Sequence, residues 1–139
     1  MNAYAAETLM TPLQVAELME YEQQTLSATT LFRLNSAILS TQGQAELRDL
    51  AAYIIGHRAQ VGDIDIIGHT CDLGSERYNQ RLSLRRARAV ATFLAQEGVP
   101  SDLMDVSGMG ESSPIASNAD EAGRSQNRRV EVHIGTIKP

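Results

Sequence analysis

The chain has 139 residues, of which 42% are hydrophobic and 21% are charged, and its net charge is −5 at neutral pH. This composition indicates one globular domain with an aliphatic core, since there is no Trp and there are only two Phe. It argues against nucleic-acid binding, which usually requires a basic surface, and against a membrane-spanning helix, because no apolar run reaches about 18 residues.

The N-terminal part of the chain carries the weakest pattern. Residues 1–27 lack a clean apolar stripe, although Pro12 after Thr11 is a reasonable helix start, so we predict a linker or short helix there. We predict that the folded domain covers residues 28–137. It begins with a strand over 29–35, because TTLFRLN is rich in β-branched and aromatic residues.

The rest of the chain alternates helices and strands. Apolar residues at helical spacing indicate the helices, and alternating apolar and polar residues indicate the strands. After the first strand we predict, in chain order, a helix over 40–58, a strand over 63–67, a helix over 75–98, a strand over 104–108, a polar loop over 113–127 and a strand over 128–137. This order predicts an α+β two-layer sandwich, a βαβαββ fold with helices packed on one face of a mixed four-stranded sheet.

Charged residues alternate with apolar ones along two of these strands. Asp63 and Asp65 alternate with Ile, and Glu131 and His133 alternate with Val and Ile. Since the side chains of a strand point to opposite faces in turn, we expect these four to face solvent on the side that no helix covers. The acidic stretch NADEAG (118–123) of the predicted loop is expected to be merely solvated.

One arginine of the second long helix lies on the face where core residues are expected. Placed on an ideal helix, Arg86 and Asn79 fall inside the apolar face that also holds Leu82 and Phe93. An arginine does not lose its proton, and a buried guanidinium without a partner is very costly. Arg86 therefore needs a carboxylate, which comes either from within the chain, with Asp72 as the obvious candidate, or from a ligand. A further alternative is that the side chain lies at the edge of the core and extends its charged end into solvent.

The sequence does not favour an enzyme. His69 and Cys71 are close enough in sequence for a thiol–imidazole pair, but no cysteine-protease signature accompanies them. The His and Cys residues lack zinc-ligand spacings such as CxxC or HExxH, and no GxGxxG phosphate loop is present. We therefore predict no catalytic residues, no metal and no cofactor.

Four motifs in the second half of the chain match the pattern of a known family. That pattern runs G-H-T-D-x-x-G, then Y-N-x-x-L-S-x-x-R-A, then G-x-G-x-x-x-P, then N-x-x-x-x-G-R-x-x-N-R-R-V. The matching positions are Gly68, His69, Thr70, Gly74, Tyr78, Asn79, Leu82, Ser83, Arg86, Ala87, Gly108, Gly110, Pro114, Asn118, Gly123, Arg124, Asn127, Arg128, Arg129 and Val130. On these motifs the chain resembles the OmpA-like domain family of Gram-negative bacteria, over about residues 29–135.

The resemblance implies a function and a site. Members of the family bind peptidoglycan non-covalently in the periplasm, through the diaminopimelate residue of the stem peptide. A loop aspartate of the family takes the ammonium of the ligand and a helix arginine takes a carboxylate, and that arginine matches Arg86. Asn35, Asn79 and Arg128 are expected to be further polar residues of the pocket.

The chain departs from the family at the aspartate. Cys71 fills that slot and Asp72 follows one residue later, so either the turn brings Asp72 into the pocket or the cation site is lost. In the second case the domain is a periplasmic protein-interaction module, and Asp72 and Arg86 form an internal salt bridge. Arg124 and Asn127 are expected to hold their loop in place.

We therefore predict a domain that tethers an envelope protein to the cell wall in the periplasm. The predicted partners are the peptidoglycan stem peptide and an envelope protein, and association with the outer membrane is expected to come from a segment absent from this chain. The predicted ligand-binding residues are Asn35, Cys71, Asp72, Asn79, Arg86 and Arg128.

Overall fold

The computed structural model of the chain describes Thr11 and residues 19–137. Its strands are β1 (Met19–Ser27), β2 (Val61–His69), β3 (Met104–Gly108) and β4 (Arg129–Ile137). Its helices are α1 (Ala28–Leu31), α2 (Thr41–Gly56), α3 (Glu76–Gln96) and α4 (Glu121–Asn127), with short 3-10 helices at Arg58–Gln60 and Ser101–Leu103. The two long helices and the strands β2, β3 and β4 begin and end within two residues of their predicted bounds.

The four strands form one mixed sheet in the order β1-β4-β2-β3. Strand β4 is antiparallel to both β1 and β2, whereas β2 and β3 are parallel. A parallel pair needs a crossover connection, and α3 provides it. The predicted α+β fold with a mixed four-stranded sheet is confirmed.

One face of the sheet carries the hydrophobic core. The largest core residues of β2 and β4, all fully buried, are Ile64, Ile66, Val130, Val132 and Ile134. They form one cluster with buried side chains of both long helices, which are Leu47, Leu50, Ala51, Ile54, Ala87, Val90 and Leu94. Because the strand residues are two apart, they point to the same face, so α2 and α3 cover that face together. None of the helices within residues 19–137 is both long and apolar enough to cross a membrane.

The first strand lies outside its predicted segment. Residues 19–27, for which we predict a linker or short helix, form β1 and pair with β4 along their whole length. Residues 29–35 do not form a strand, since Ala28–Leu31 is helical and Phe32 makes only an isolated bridge with Leu39. Both predictions are therefore wrong for these segments.

Tertiary contacts explain both differences. Strand β1 is an edge strand, and its sequence MEYEQQTLS lacks the apolar alternation that marks a half-buried strand. In the segment after it, Leu31 and Phe32 are buried, and the main chain of Leu31 packs directly against Gly43 of α2. The predicted helix start at Pro12 lies outside the described residues.

The predicted loop over 113–127 contains a short helix. Helix α4 begins after Asp120, whose Oδ1 accepts a hydrogen bond from the N–H of Gly123 (2.7 Å). A short polar acceptor in this position is a preferred N-cap. The helix has seven residues, too few for a periodic pattern to stand out in a polar segment that contains Gly and Asn.

The face of the sheet opposite to α2 and α3 is less exposed than predicted. Asp63, Asp65 and His133 are half-buried there, while Glu131 is only 8% exposed. The carboxylate of Glu131 lies 2.7 Å from Nε of Arg129 and 2.9 Å from Nε2 of His133. The expectation that Glu131 faces solvent is wrong because both neighbours on the same strand face pair with it.

Candidate ligand-binding site

A cavity of about 460 Å³ lies between the segment around α1, the turn after β2 and the first half of α3. Five of the six predicted site residues line it, namely Asn35, Cys71, Asn79, Arg86 and Arg128. The sixth, Asp72, is exposed and is not among the lining residues. The fold thus brings most of the predicted site together but leaves its predicted carboxylate outside.

Arg86 is the buried charge of this cavity. The residue is 5% exposed, and its Nε donates a hydrogen bond to the main-chain oxygen of Ser36 (2.9 Å). Its guanidinium carbon lies 5.2 Å from the ring centre of Phe32, a favourable cation–π arrangement. Burial is the largest cause that lowers the pKa of Arg86. Neither contact supplies a negative charge.

Within residues 19–137, no carboxylate forms an ion pair with Arg86. The predicted internal salt bridge with Asp72 is therefore absent, because the turn leaves Asp72 exposed and outside the cavity. A buried guanidinium keeps its charge and gains most from an anion that reaches it. Arg86 can therefore hold a ligand carboxylate, to which arginine donates two parallel hydrogen bonds.

Asn79 holds the turn that forms one wall of the cavity. Helix α3 begins after Ser75, whose Oγ accepts a hydrogen bond from the N–H of Tyr78 (3.1 Å). In the first turn after this cap, Asn79 is buried, and its Nδ2 donates to the carbonyl oxygens of Cys71 (3.3 Å) and Leu73 (3.0 Å). These bonds fix the position of the turn relative to α3.

Cys71 stands where the family pattern leads us to expect an aspartate. The residue is 5% exposed, and its Sγ lies 3.6 Å from Nη1 of Arg128. The hydroxyl of Thr70 donates a hydrogen bond to the carbonyl oxygen of Cys71 (2.8 Å). A thiol therefore occupies a position next to a guanidinium, where a carboxylate would form a salt bridge.

Arg128 also contacts a carboxylate of α4. Its Nη2 donates a hydrogen bond to Oε1 of Glu121, and Nε of Arg124 lies 3.4 Å from Oε2 of the same residue. The hydrogen bond with Glu121 is the largest cause that raises the pKa of Arg128. The same bond is the largest cause that holds the pKa of Glu121 below its usual value, so this carboxylate is charged at neutral pH.

Glu121 is not among the predicted site residues. The stretch 118–123 is expected to be merely solvated, and the Glu121 side chain is 62% exposed, yet it lines the cavity. One signal for it is present in the sequence. Glu121 lies inside the N-x-x-x-x-G-R motif, between the matched residues Asn118 and Gly123.

Asn35 lies in the loop after α1 and is an exposed part of the cavity lining. Its φ is +53°, a left-handed conformation that asparagine adopts more readily than most residues. The loop is closed by a hydrogen bond from the N–H of Arg33 to the carbonyl of Ile38 (2.9 Å). The local backbone therefore sets where the Asn35 side chain meets the cavity.

Arg124 and Asn127 hold the loop before α4, as predicted. Nη1 of Arg124 donates to the carbonyl oxygen of Asn118 (3.0 Å). Asn127 is fully buried, and its Oδ1 accepts from the N–H groups of Ile115 (2.8 Å) and Ala116 (3.0 Å). Its Nδ2 donates to the carbonyl oxygen of Ala116 (2.9 Å) and to Oδ1 of Asn118 (2.8 Å). These bonds fix both ends of α4, which carry the charged pair of the cavity wall.

His69 and Cys71 do not form a thiol–imidazole pair. His69 is buried on the side of the sheet opposite to α2 and α3, where its Nε2 lies 3.4 Å from Oε2 of Glu131. Burial is the largest cause that lowers the pKa of His69, followed by the charge of Arg129. In the part of the chain that the structure describes, no three His, Cys, Asp or Glu residues cluster as metal ligands do.

The chain is similar in sequence to proteins of a known family. The family model of the OmpA family matches residues 31–128. Outer membrane protein A of Shigella flexneri is 35% identical over 123 aligned positions, covering 82% of this chain and 35% of that protein. Outer membrane protein A of Citrobacter freundii is 31% identical over 142 aligned positions, covering 96% of this chain and 59% of that protein. The chain therefore spans only part of the length of these relatives.

Solved structures share the fold. The peptidoglycan-associated lipoprotein from Burkholderia pseudomallei is 32% identical, with a TM-score of 0.69 and coverage of 80% of this chain and 89% of that one. The cell wall anchor of the T6SS from Pseudomonas aeruginosa is 27% identical, with a TM-score of 0.73 and coverage of 87% and 90%. The periplasmic domain of Helicobacter pylori MotB is 26% identical, with a TM-score of 0.75 and coverage of 84% and 75%.

Proposed function

The chain belongs to the OmpA family, and from this membership we propose that it binds peptidoglycan without catalysing a reaction. The domain tethers an envelope protein to the cell wall in the periplasm, with attachment to the outer membrane supplied by a segment outside this chain. The names of two solved proteins with this fold support wall binding, since one is a peptidoglycan-associated lipoprotein and one is a cell wall anchor.

Arg86 is the observation that carries this proposal. Its guanidinium is buried in a cavity that is open to a ligand, and no carboxylate within residues 19–137 pairs with it. A charge left in this state is costly to the folded protein, and a ligand carboxylate offsets part of that cost. The stem peptide of peptidoglycan presents such carboxylates.

The ligand in this proposal is the diaminopimelate residue of the stem peptide. One of its carboxylates binds Arg86, and Arg128 and Asn35 contribute further polar contacts. The exposed side chains of Leu73 and Tyr78 also line the cavity and contact the methylene chain of the ligand. Asn79 acts by holding the turn that carries Leu73.

A second candidate function is a protein-interaction module that no longer binds the wall. It is favoured by Cys71, which puts a thiol in the slot of the family's aspartate, and by the exposed position of Asp72 outside the cavity. In this case the cavity lacks the usual partner for the ammonium of diaminopimelate. An envelope protein is then the partner of the domain.

Sedimentation with purified sacculi tests the proposal. The wild-type protein is compared with Arg86→Ala and with Arg85→Ala, which removes an exposed arginine from the same helix. We expect wild type and Arg85→Ala to pellet with the sacculi and Arg86→Ala to stay in the supernatant. Circular dichroism of each variant shows that the fold is retained.

Two other results would contradict the proposal in different ways. If folded wild-type protein stays in the supernatant, the domain does not bind the wall and the interaction module is favoured. If Arg86→Ala pellets as well as wild type, the wall is bound elsewhere and Arg86 has only a structural role.

A further inference from the structure

Among the described residues that line the cavity, Glu121 is the one carboxylate. The two sequence positions that would otherwise supply a partner for the ammonium of the ligand do not do so. Cys71 presents a thiol to the cavity, and Asp72 is exposed outside it. A negative charge nevertheless reaches the cavity, from a helix that lies about fifty residues further along the chain.

The Glu121 carboxylate is held in place by two arginines. Oε1 accepts a hydrogen bond from Arg128, and Oε2 lies 3.4 Å from Nε of Arg124. A carboxylate has about four lone-pair positions, so two remain for a ligand donor. The start of α4 packs closely against the preceding loop. The backbone of Gly123 lies so near the carbonyl oxygen of Ser117 that a Cβ at Gly123 would overlap it.

The charges of the cavity match one end of a diaminopimelate residue. Its lining includes three guanidinium groups, from Arg33, Arg86 and Arg128, and the single carboxylate of Glu121. An amino-acid end group places an ammonium next to a carboxylate. When the carboxylate binds Arg86, the guanidinium groups repel the ammonium, and Glu121 is the one anionic side chain among the described lining residues that attracts it.

Building on the proposed function, we propose that Glu121 binds the ammonium group of the stem peptide, in place of the aspartate that Cys71 replaces. Glu121 is then a specificity residue: it selects an amino acid over a plain dicarboxylate. Its pairing with Arg128 keeps the carboxylate at the cavity when no ligand is present.

Calorimetric titration with two ligands tests this assignment. Diaminopimelate carries both ammonium groups and carboxylates, whereas pimelate has the same carbon chain and carboxylates without amino groups. For each variant we compare the ratio of the two dissociation constants. We expect Glu121→Gln to reduce the preference for diaminopimelate about tenfold while pimelate binds as before or more tightly.

Two controls separate this role from a structural one. Glu121→Asp keeps the charge and is expected to retain most of the preference for diaminopimelate. Asp72→Asn removes an exposed carboxylate outside the cavity and is expected to leave the ratio unchanged. A variant with a damaged fold would bind both ligands more weakly. The ratio of the two dissociation constants would then stay the same, and circular dichroism would show the damage.

The remaining outcomes overturn the assignment. If Glu121→Gln keeps the wild-type preference while diaminopimelate still binds, Glu121 does not hold the ammonium and the proposed function stands. If Asp72→Asn removes the preference instead, Asp72 binds the ammonium, which is one of the two alternatives that the sequence left open. If folded wild type binds neither diaminopimelate nor sacculi, both the assignment and the proposed function fail.

Discussion

The thiol of Cys71 lies 3.6 Å from the guanidinium of Arg128, in the wall of the cavity that contains Arg86. The residue type at this position therefore decides whether the wall carries one more negative charge. The thiol is only a weak acceptor for the guanidinium and brings no negative charge, whereas a carboxylate would form a salt bridge with it. The ligand preference of the domain depends on which groups balance its arginines.

Replacing Cys71 with aspartate should strengthen binding of diaminopimelate. The introduced carboxylate lies next to Arg128 and adds a second anionic group for the ammonium of the ligand. We expect the preference for diaminopimelate over pimelate to rise about tenfold, measured by calorimetric titration. Cys71→Ser, which is similar in size but uncharged, serves as the control. An unchanged preference in Cys71→Asp would show that this position does not reach the ammonium.

Gly68 should tolerate no side chain, because α3 packs directly on β2 there. A Cβ at this position would overlap the carbonyl oxygen of Ser83. We expect Gly68→Ala to lower the free energy of unfolding by at least about 3 kcal/mol, measured by urea denaturation. Gly56→Ala is the matched control, since no atom lies within 4 Å of its added Cβ. Equal stability of the two variants would refute this packing.

Asn127 should be essential for the loop before α4. Asn127→Ala leaves the N–H groups of Ile115 and Ala116 without their acceptor. We expect a loss of about 2–4 kcal/mol in the free energy of unfolding, and faster amide hydrogen exchange at both residues. Gln126→Ala, an exposed neighbour, should change the stability by less than about 0.5 kcal/mol. Normal exchange protection at Ile115 in Asn127→Ala would contradict the prediction.

The stability of the domain should decrease in mildly acidic solution because of His69. Burial lowers the pKa of this imidazole below its ordinary value of 6.5, and the charge of Arg129 acts in the same direction. Below that value the unfolded chain takes up a proton that the folded chain resists, so the free energy of unfolding falls as the pH falls. Urea denaturation at about pH 7.5 and about pH 5.5 measures the difference.

Variants at two histidines identify the source of this pH dependence. His69→Gln should reduce the loss of stability between the two pH values, whereas His57→Gln, which changes an exposed histidine, should preserve it. At lower pH a second loss is expected. Burial acts to raise the pKa of Glu131, but the hydrogen bonds from His133 and Arg129 outweigh it and hold that pKa below 4.5. An identical pH profile in wild type and His69→Gln would rule out His69 as the cause.

Local patterns in the sequence predicted much of this fold and part of its site. Strands β2, β3 and β4 and the two long helices have the periodicity that burial on one face imposes, so their positions were predictable. The same helical geometry placed Arg86 and Asn79 on the buried face, where the structure has them. These predictions succeeded because each depends on residues a few positions apart.

The sequence by itself therefore determined strands β2, β3 and β4, the two long helices and the buried position of Arg86. Only the tertiary structure decided that β1 joins the sheet, because this polar strand is held by pairing with β4, more than about a hundred residues away. It also decided that Glu121, and not Asp72, brings a carboxylate to the cavity. Neighbouring side chains in a turn point in different directions. Which carboxylate enters a cavity depends on how distant segments pack, and a local sequence pattern does not predict that packing.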